Sequence, residues 1–421
     1  MMFIQNKVSA QSEWQAPTKI WSRMFLGIFF ANMMLNLGQQ MSNSLLAKYA
    51  DALGAPASQI GMLMSMFALT ALVFRFIAGP AMDSFNRKFL VMGAMSFMSA
   101  AYFGFSAASS IHTLMVFRLV QGIGNAFANA CCLAIVSDVL PKNKFNTGIG
   151  YYSCAQVVSQ AIGPTVGLAL VKRFGYSSTY LMNAGVMIIA ILVTAQVKLP
   201  VREPKKFSLK LNHMIAREAL VPASITFFVS MGFTCISSFL IVYAAKRGVE
   251  DGIGLFFTIY ALAMLVTRPA VGRLTEMFGF VKVGIPAIFM TMISLVFIGF
   301  SNRLWMFLVS AFINAFGYGA VQPALQTLCM KSVPQERRGS ASSTNYIGTD
   351  AATLIGPTLA GFVAGKAGYT PVMWIVMTIP LFIGIGTTFC FRSNINRIEA
   401  DFFSHIKITL PGGGVSKDES M

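Results

Sequence analysis

The sequence predicts an all-α integral membrane protein, with twelve transmembrane helices in two pseudo-symmetric six-helix bundles. Three observations predict it. The 421 residues are 55% hydrophobic and only 11% charged, with a mean hydropathy of +0.66, whereas a soluble domain carries about 25% charged residues. The apolar residues gather into twelve runs, each near the roughly 20 residues needed to cross a hydrocarbon core about 30 Å thick. Finally, the second half repeats the first at a constant offset of 193 positions.

The elements follow in chain order. Residues 1–21 are polar and mixed, which predicts a cytoplasmic N-terminal segment and no cleavable signal peptide. The runs 22–46, 57–82, 89–108, 111–139, 148–172 and 176–197 make a first bundle over 22–197. The longest polar interval, 198–219, has two prolines and six basic residues and suits a cytoplasmic linker. Within it Phe207, Leu209, Leu211, Met214 and Ile215 could lie along the membrane surface. The runs 220–245, 253–275, 282–301, 304–331, 340–365 and 369–391 make a second bundle over 220–391, and 392–421 form a cytoplasmic C-terminal tail.

The net charge of +17 does not point to nucleic acid. Alternating from a cytoplasmic N-terminus, 22 of the 32 Lys and Arg fall on the cytoplasmic side and seven outside, while Arg75, Arg118 and Arg268 lie within spans. Such a bias predicts both termini in the cytoplasm, and the expected location is the plasma membrane. The six cysteines all fall in apolar runs without metal-ligand spacing, and the three histidines are isolated, so neither a disulfide nor a metal site is expected.

Shifting the chain by 193 residues superposes Arg75 on Arg268, Gly79 on Gly272, Gly124 on Gly317 and Pro141 on Pro334. "GPT" at 163–165 falls on "GPT" at 356–358, Asp83 on Glu276, and Asn86 on Gly279. One offset held over about 100 residues means two homologous halves. Parallel repeats with a substrate site at their interface are a transporter architecture.

Three motifs sharpen this. The loop after the second run carries Gly79, Asp83, Arg87 and Lys88, the fourth run reads "RLVQGIG", and the fifth "SQAIGPTVGL". Together they resemble the major facilitator superfamily over nearly the whole chain, and within it the twelve-span drug:proton antiporters. The first motif resembles G-x-x-x-D-R-x-G-R-R, departing from it at Ser84 and Asn86. The second matches R-x-x-Q-G-x-G through Arg118, Gln121, Gly122 and Gly124. The third resembles the antiporter motif through Gly163, Pro164 and Gly167, with Ser159 and Leu168 in place of the outer glycines. The resemblance implies alternating access, with Gly79, Asp83, Arg87 and Lys88 as a gating loop in which Asp83 latches the halves on the cytoplasmic side. Gly163, Pro164 and Gly167 form a bendable, closely packed helix. Asn86 stands where a tight turn would place a residue of positive φ. The duplicated Arg75 and Arg268 read as scaffold, deep enough to snorkel to the interface.

Residues on which the halves differ are better candidates for chemistry. Arg118 maps onto Ala311, and Asp350, the one acid deep in any run, maps onto Val157. Intramembrane ionisable groups are expensive and point to function. Burial drives a carboxyl towards exchanging a proton, and a nearby cation opposes that. Asp350 is therefore expected in proton coupling or cation recognition, with Thr344, Asn345 and Thr353 as the neighbours that would satisfy it otherwise. Arg118 is expected to hold a substrate anion or to tune protonation. Asn32, Asn36, Gln39, Gln121, Asn125, Asn129, Gln156, Gln160, Asn314, Tyr318, Gln322 and Gln326 sit among Phe, Met and Tyr and mark a cavity for amphipathic solutes.

No phosphate loop is present, and neither an enzyme nor a cofactor is expected. The reading is a monomeric secondary transporter whose partners are a small-molecule substrate, protons and the bilayer, exporting drugs or metabolites. The alternative is an importer or facilitator of an organic anion or metabolite with the same fold.

Overall fold

The computed structural model describes residues 19–197, 207–208, 214–249, 252–368 and 370–408, which contain helices and no strand. The first half comprises α1 (Arg23–Ala52), α2 (Ala57–Ser84), α3 (Arg87–Ser106), α4 (Ile111–Val139) and α5 (Phe145–Gln196). α5 holds the fifth and sixth spans and is broken at Gly175, where φ 77 and ψ 173 require a residue without Cβ. The second half comprises α6 (Leu220–Lys246), α7 (Leu255–Phe278), α8 (Phe280–Phe300), α9 (Leu304–Phe316), α10 (Tyr318–Lys331), α11 (Arg338–Ala367), α12 (Pro371–Val376), α13 (Ile379–Cys390) and α14 (Arg392–Ile408). α9 and α10 form one span, as do α12 and α13.

Ten segments among the described residues are long and apolar enough to cross a membrane, one of them carrying the fifth and sixth spans together. α1 falls below that apolar level, since Asn32, Asn36, Gln39 and Gln40 share it. With α1 counted and α5 divided, the twelve expected spans are present. Large apolar side chains such as Phe89, Leu262 and Val266 are 70%, 61% and 72% exposed, which suits a surface solvated by lipid.

The described residues divide into two compact units. Unit 1 holds those up to Pro141 and those from Val158 to Ser208. Unit 2 holds Lys142–Val157 and those from Met214 onward. The first turns of the fifth span thus group with the second repeat. Of the linker, 198–206 and 209–213 lie outside the described residues, including Leu209 and Leu211, and so do 1–18 and 409–421. Phe207 stacks on Phe85 of the loop after α2, ring centroids 5.7 Å apart.

The repeat is physical as well as textual. A Cβ on Gly124 would come within 2.7 Å of Met98 Cγ and 2.8 Å of Ala94 O, and one on Gly317 within 2.6 Å of Thr291 N. Thr291 is the partner of Met98 at the same offset, so each glycine brings the fourth helix of its half against the third. The second of these approaches also breaks its helix. Gly317 has ψ −102, whereas α4 runs on through Gly124. The duplicated arginines do not snorkel. Arg75 is 1% exposed and Arg268 5%, and both turn inward. Arg75 Nη1 donates to Ala126 O at 2.8 Å and Arg268 Nε to Gly319 O at 3.2 Å, acceptors that are again 193 positions apart. Gly319 O is the carbonyl that Pro323, lacking an N–H, cannot satisfy four residues on, so the guanidinium replaces a missing helix bond.

Asn86 departs from its expectation. Its φ is −66, and its side chain caps α3 by accepting from Lys88 N at 2.9 Å. The positive φ, 79, is at its partner Gly279. Asn at this place caps a helix with its side chain, a hydrogen bond glycine cannot make.

Candidate functional site

In unit 1 the polar interior is built where α1 and α4 face each other. Arg118 lies two turns into α4 and is 1% exposed. Its Nη1 donates to Gln121 Oε1 at 2.6 Å and its Nη2 to Asn43 Oδ1 at 3.1 Å. Its carbon lies 4.5 Å over the Phe67 ring, while buried Nε has no partner. Gln121 is held in turn by Nε2, which donates to Tyr102 Oη at 3.3 Å and Ser42 Oγ at 3.5 Å. A buried cation thus rests on neutral acceptors and an aromatic face, costly unless something further compensates it. One helical turn on, Asn129 Nδ2 donates to Asn125 Oδ1 at 2.6 Å and reaches Gln39 Oε1 at 3.5 Å. Asn36 Nδ2 donates to Asn32 O at 2.8 Å and Oδ1 at 3.0 Å. The structure therefore joins Gln121 to Arg118, Gln39 and Asn125 to Asn129, and Asn32 to Asn36. It adds Asn43, Tyr102 and Phe67, which nothing in the sequence singled out.

On the fifth span, Gly163 carries the close approach its motif implies. A Cβ there would meet Gln40 Cβ at 2.7 Å, and one on Gly167 would meet Leu45 at 3.3 Å. α5 continues through Pro164. Ser159, where the motif has glycine, donates to Met33 O at 2.8 Å. Gln156 is half-buried and Gln160 exposed.

The loop after α2 is an ion cluster. Arg87 is 4% exposed. Its Nη2 donates to Asp83 at 3.2 Å, its Nη1 to Asp138 at 2.6 Å, and its Nε to Met82 O at 3.0 Å. Lys88 Nζ donates to Ala195 O at 2.6 Å and Val197 O at 2.9 Å, at the end of the sixth span. Gly79 is buried one turn before Asp83. Asp138 escaped the sequence reading. Its signal was an acid closing the fourth apolar run, with Lys331 of opposite charge at the repeat position.

In unit 2 Asp350 is half-buried on α11. The three neighbours the sequence offered each carry a contact of their own. Thr344 and Thr353 donate to Ser340 O and Thr349 O, and Asn345 Oδ1 accepts from Thr226 at 3.2 Å. Asn314, fully buried, has neither side-chain atom paired, and it stands one turn before the break at Gly317. Tyr318 stacks on Phe233 at 4.1 Å, almost parallel, and meets Ser230 Oγ at 3.4 Å. Gln322 accepts from Arg268 Nη2 at 3.3 Å, and Gln326 is buried on the same helix. The first turns of α5 complete this unit. Glu276 accepts from Thr147 N at 2.9 Å and Thr147 Oγ1 at 2.7 Å, and Arg268 Nη1 donates to Ser153 O at 2.5 Å. Among the described residues no group of His, Cys, Asp and Glu could hold a metal ion.

Each half carries six spans and a buried arginine in its second span. The family model described as Major Facilitator Superfamily matches residues 28–223 and 222–399. Multidrug resistance protein MdtG of Enterobacter lignolyticus is 23% identical over 367 residues, covering 82% of this chain and 86% of its own. Quinolone resistance protein NorA of Staphylococcus aureus is 20% identical over 352 residues, covering 79% and 88%. The crystal structure of the human organic anion transporter MFSD10 superposes with a TM-score of 0.74 at 15% identity, covering 87% of this chain and 98% of that one. With the family model spanning nearly all the described residues, the chain belongs to the major facilitator superfamily.

Proposed function

We propose that the protein is a proton-coupled exporter of small amphipathic compounds working by alternating access, monomeric in the plasma membrane with both termini in the cytoplasm. As a member of its superfamily it is a multi-pass membrane transporter of small molecules and not an enzyme. The observation that carries the finer reading is Arg118, a buried guanidinium held by neutral oxygens and the Phe67 ring, with Nε left over. A charge kept at such cost is kept for something that comes and goes, either an anionic group of the substrate or the carboxylate state of a proton carrier. Asp350, the acid deep in the eleventh span, is the proton carrier in this reading. Wetted alternately from the two sides, it takes a proton from outside and releases it inside as substrate leaves. The asparagines and glutamines around Arg118, and the Tyr318, Gln322 and Gln326 face of the tenth span, orient substrate through weak polar contacts on soft walls. Gly79, Asp83, Arg87 and Lys88 are the gate, and Gly163, Pro164 and Gly167 the bending point. MdtG and NorA are named for multidrug and quinolone resistance, which supports export of drug-like solutes.

The test is dye efflux in everted vesicles. Asp350→Asn is expected to abolish the dependence of efflux on the pH gradient while leaving the folded protein in the membrane. Efflux that persists in that variant with unchanged pH dependence overturns the proton role. The neutral partners of Arg118 also favour a second reading, import or facilitated passage of an organic anion. Accumulation of substrate in right-side-out vesicles down the proton gradient would decide for it.

A further inference from the structure

The repeat makes a deficit visible at one end of unit 2. In unit 1 the turn between α2 and α3 is self-sufficient. Asn86 caps α3, and Arg87 joins Asp83 to Asp138. The matching positions in unit 2 are Gly279, Phe280 and Lys331. The cap has lost its side chain, the arginine is a phenylalanine, and the acid is a lysine. The first turn of α8 has no acidic residue of its own.

One residue of the tail helix α14 answers all three. Glu399, 8% exposed, accepts from Phe280 N through Oε2 at 2.9 Å and places Oε1 3.8 Å from Lys331 Nζ. The carboxylate caps α8 from outside it, where the helix dipole favours negative charge, and it supplies the counter-charge that the duplicated scaffold lacks here. The fit is built into the chain. A Cβ on Gly279 would come within 2.9 Å of Glu399 Oε2, so the residue that cannot cap is also the one that leaves room for the cap. Burial raises the Glu399 carboxyl above its ordinary range, while Lys331 and the Phe280 N–H pull it down. Glu276 of α7 adds a second negative charge within electrostatic reach of Lys331.

The rest of α14 is seated too. Ile395 is fully buried in the core of unit 2, with Ile398 packed against that core. Phe402 packs on Phe145 with ring centroids 5.2 Å apart, and Lys331 Nζ lies 5.3 Å over the Phe402 ring. Phe145 opens α5, the span whose first turns belong to unit 2 and whose remainder belongs to unit 1. By contrast the outward pair Arg397–Asp401, at 3.7 Å, is 82% and 67% exposed and contributes little.

We propose that α14 is an intramolecular strap. Keyed by Glu399 into the gap at Gly279, Phe280 and Lys331, it holds the first turns of α5 on unit 2, and its unseating controls how often they come away. The proposal goes beyond transport chemistry, and its test uses no substrate, so it stands or falls apart from the exporter reading. In a Cys390→Ser background, which removes the exposed cysteine, Ile395→Cys reports the strap and Asn146→Cys, 2% exposed in the parent, reports the α5 turn. Both are labelled in native membranes with N-ethylmaleimide, and both are expected to be protected. Adding Glu399→Ala is expected to raise both labelling rates on the order of ten-fold, the scale of losing a helix cap. Glu399→Gln, which keeps an acceptor for Phe280 N–H, is expected to fall between. The swap Lys331→Glu with Glu399→Lys is expected to restore protection more than either single change, and Asp401→Asn to do nothing. Parent-like protection of both sites in Glu399→Ala overturns the proposal. So does release of Ile395→Cys with Asn146→Cys still protected, or free labelling of Ile395→Cys in the parent.

Discussion

Two of the arginine–carboxylate pairs among the described residues differ sharply in what they contribute. Asp138 and Arg87 are each 4% exposed at their side chains and meet at 2.6 Å. Asp401 and Arg397 are 67% and 82% exposed and meet at 3.7 Å. Removing one member of a buried pair strands the other charge in a medium that cannot solvate it, at a cost of about 3–5 kcal/mol, against about 0–1 kcal/mol for an exposed pair. Asp83 remains beside Arg87 and softens the loss. Asp138→Ala is therefore expected to lower the unfolding midpoint in detergent by several degrees and Asp401→Ala to leave it where it is. Equal midpoints would mean that Arg87 is already satisfied by Met82 O and Asp83. The sequence marked Arg87 and Asp83 through their motif but passed over Asp138, because what makes it matter is a partner 51 positions away, and no local spacing records that.

At the scale of helices, the small residues are positioned by what they touch. Gly93 and Gly317 both lie at membrane depth. A Cβ on Gly93 would meet nothing within 4 Å, while one on Gly317 would fall 2.5 Å from Thr291 Oγ1 and 2.6 Å from its backbone N. Gly93→Ala is expected to be neutral or to stabilise by about 0.5–1 kcal/mol, since alanine favours the helix. Gly317→Ala must push α10 off α8 and is expected to cost about 1–3 kcal/mol. Thermal unfolding of the two variants checks both signs. The number of spans, their order and the duplication were legible from hydropathy and the 193-residue offset, because those depend on composition and spacing. The break at Gly317 was not. Its repeat partner Gly124 makes an equally close approach within an unbroken helix, so the glycine and its packing alone do not set the break. The tail helix was not legible either, because Glu399, Ile395 and Phe402 look like ordinary amphipathic spacing until the positions at Gly279 and Phe280 are placed beside them.

Across the whole molecule, duplication separates what holds the fold from what the fold is for. Arg75 and Arg268 recur at the same offset and donate to carbonyls at the same offset. Arg118 and Asp350 have no counterpart, facing Ala311 and Val157 in the repeat. The two classes should respond to mutation with different sign. Arg268 satisfies main-chain oxygens at Gly319 and Ser153, which cannot rotate to find another donor, and a buried carbonyl left unpaired costs about 1–3 kcal/mol. Arg268→Met is therefore expected to lower the unfolding midpoint. Arg118 is held by the side-chain oxygens of Gln121 and Asn43, which can rotate, and its own burial is a standing cost that an apolar side chain of similar volume relieves. Arg118→Met is expected to leave the midpoint unchanged or raised while efflux is lost. Melting in detergent and efflux in everted vesicles, measured on the same two preparations, separate the cases. If Arg118→Met melts as low as Arg268→Met, then Arg118 is scaffold too, and the asymmetry that singles it out has another cause.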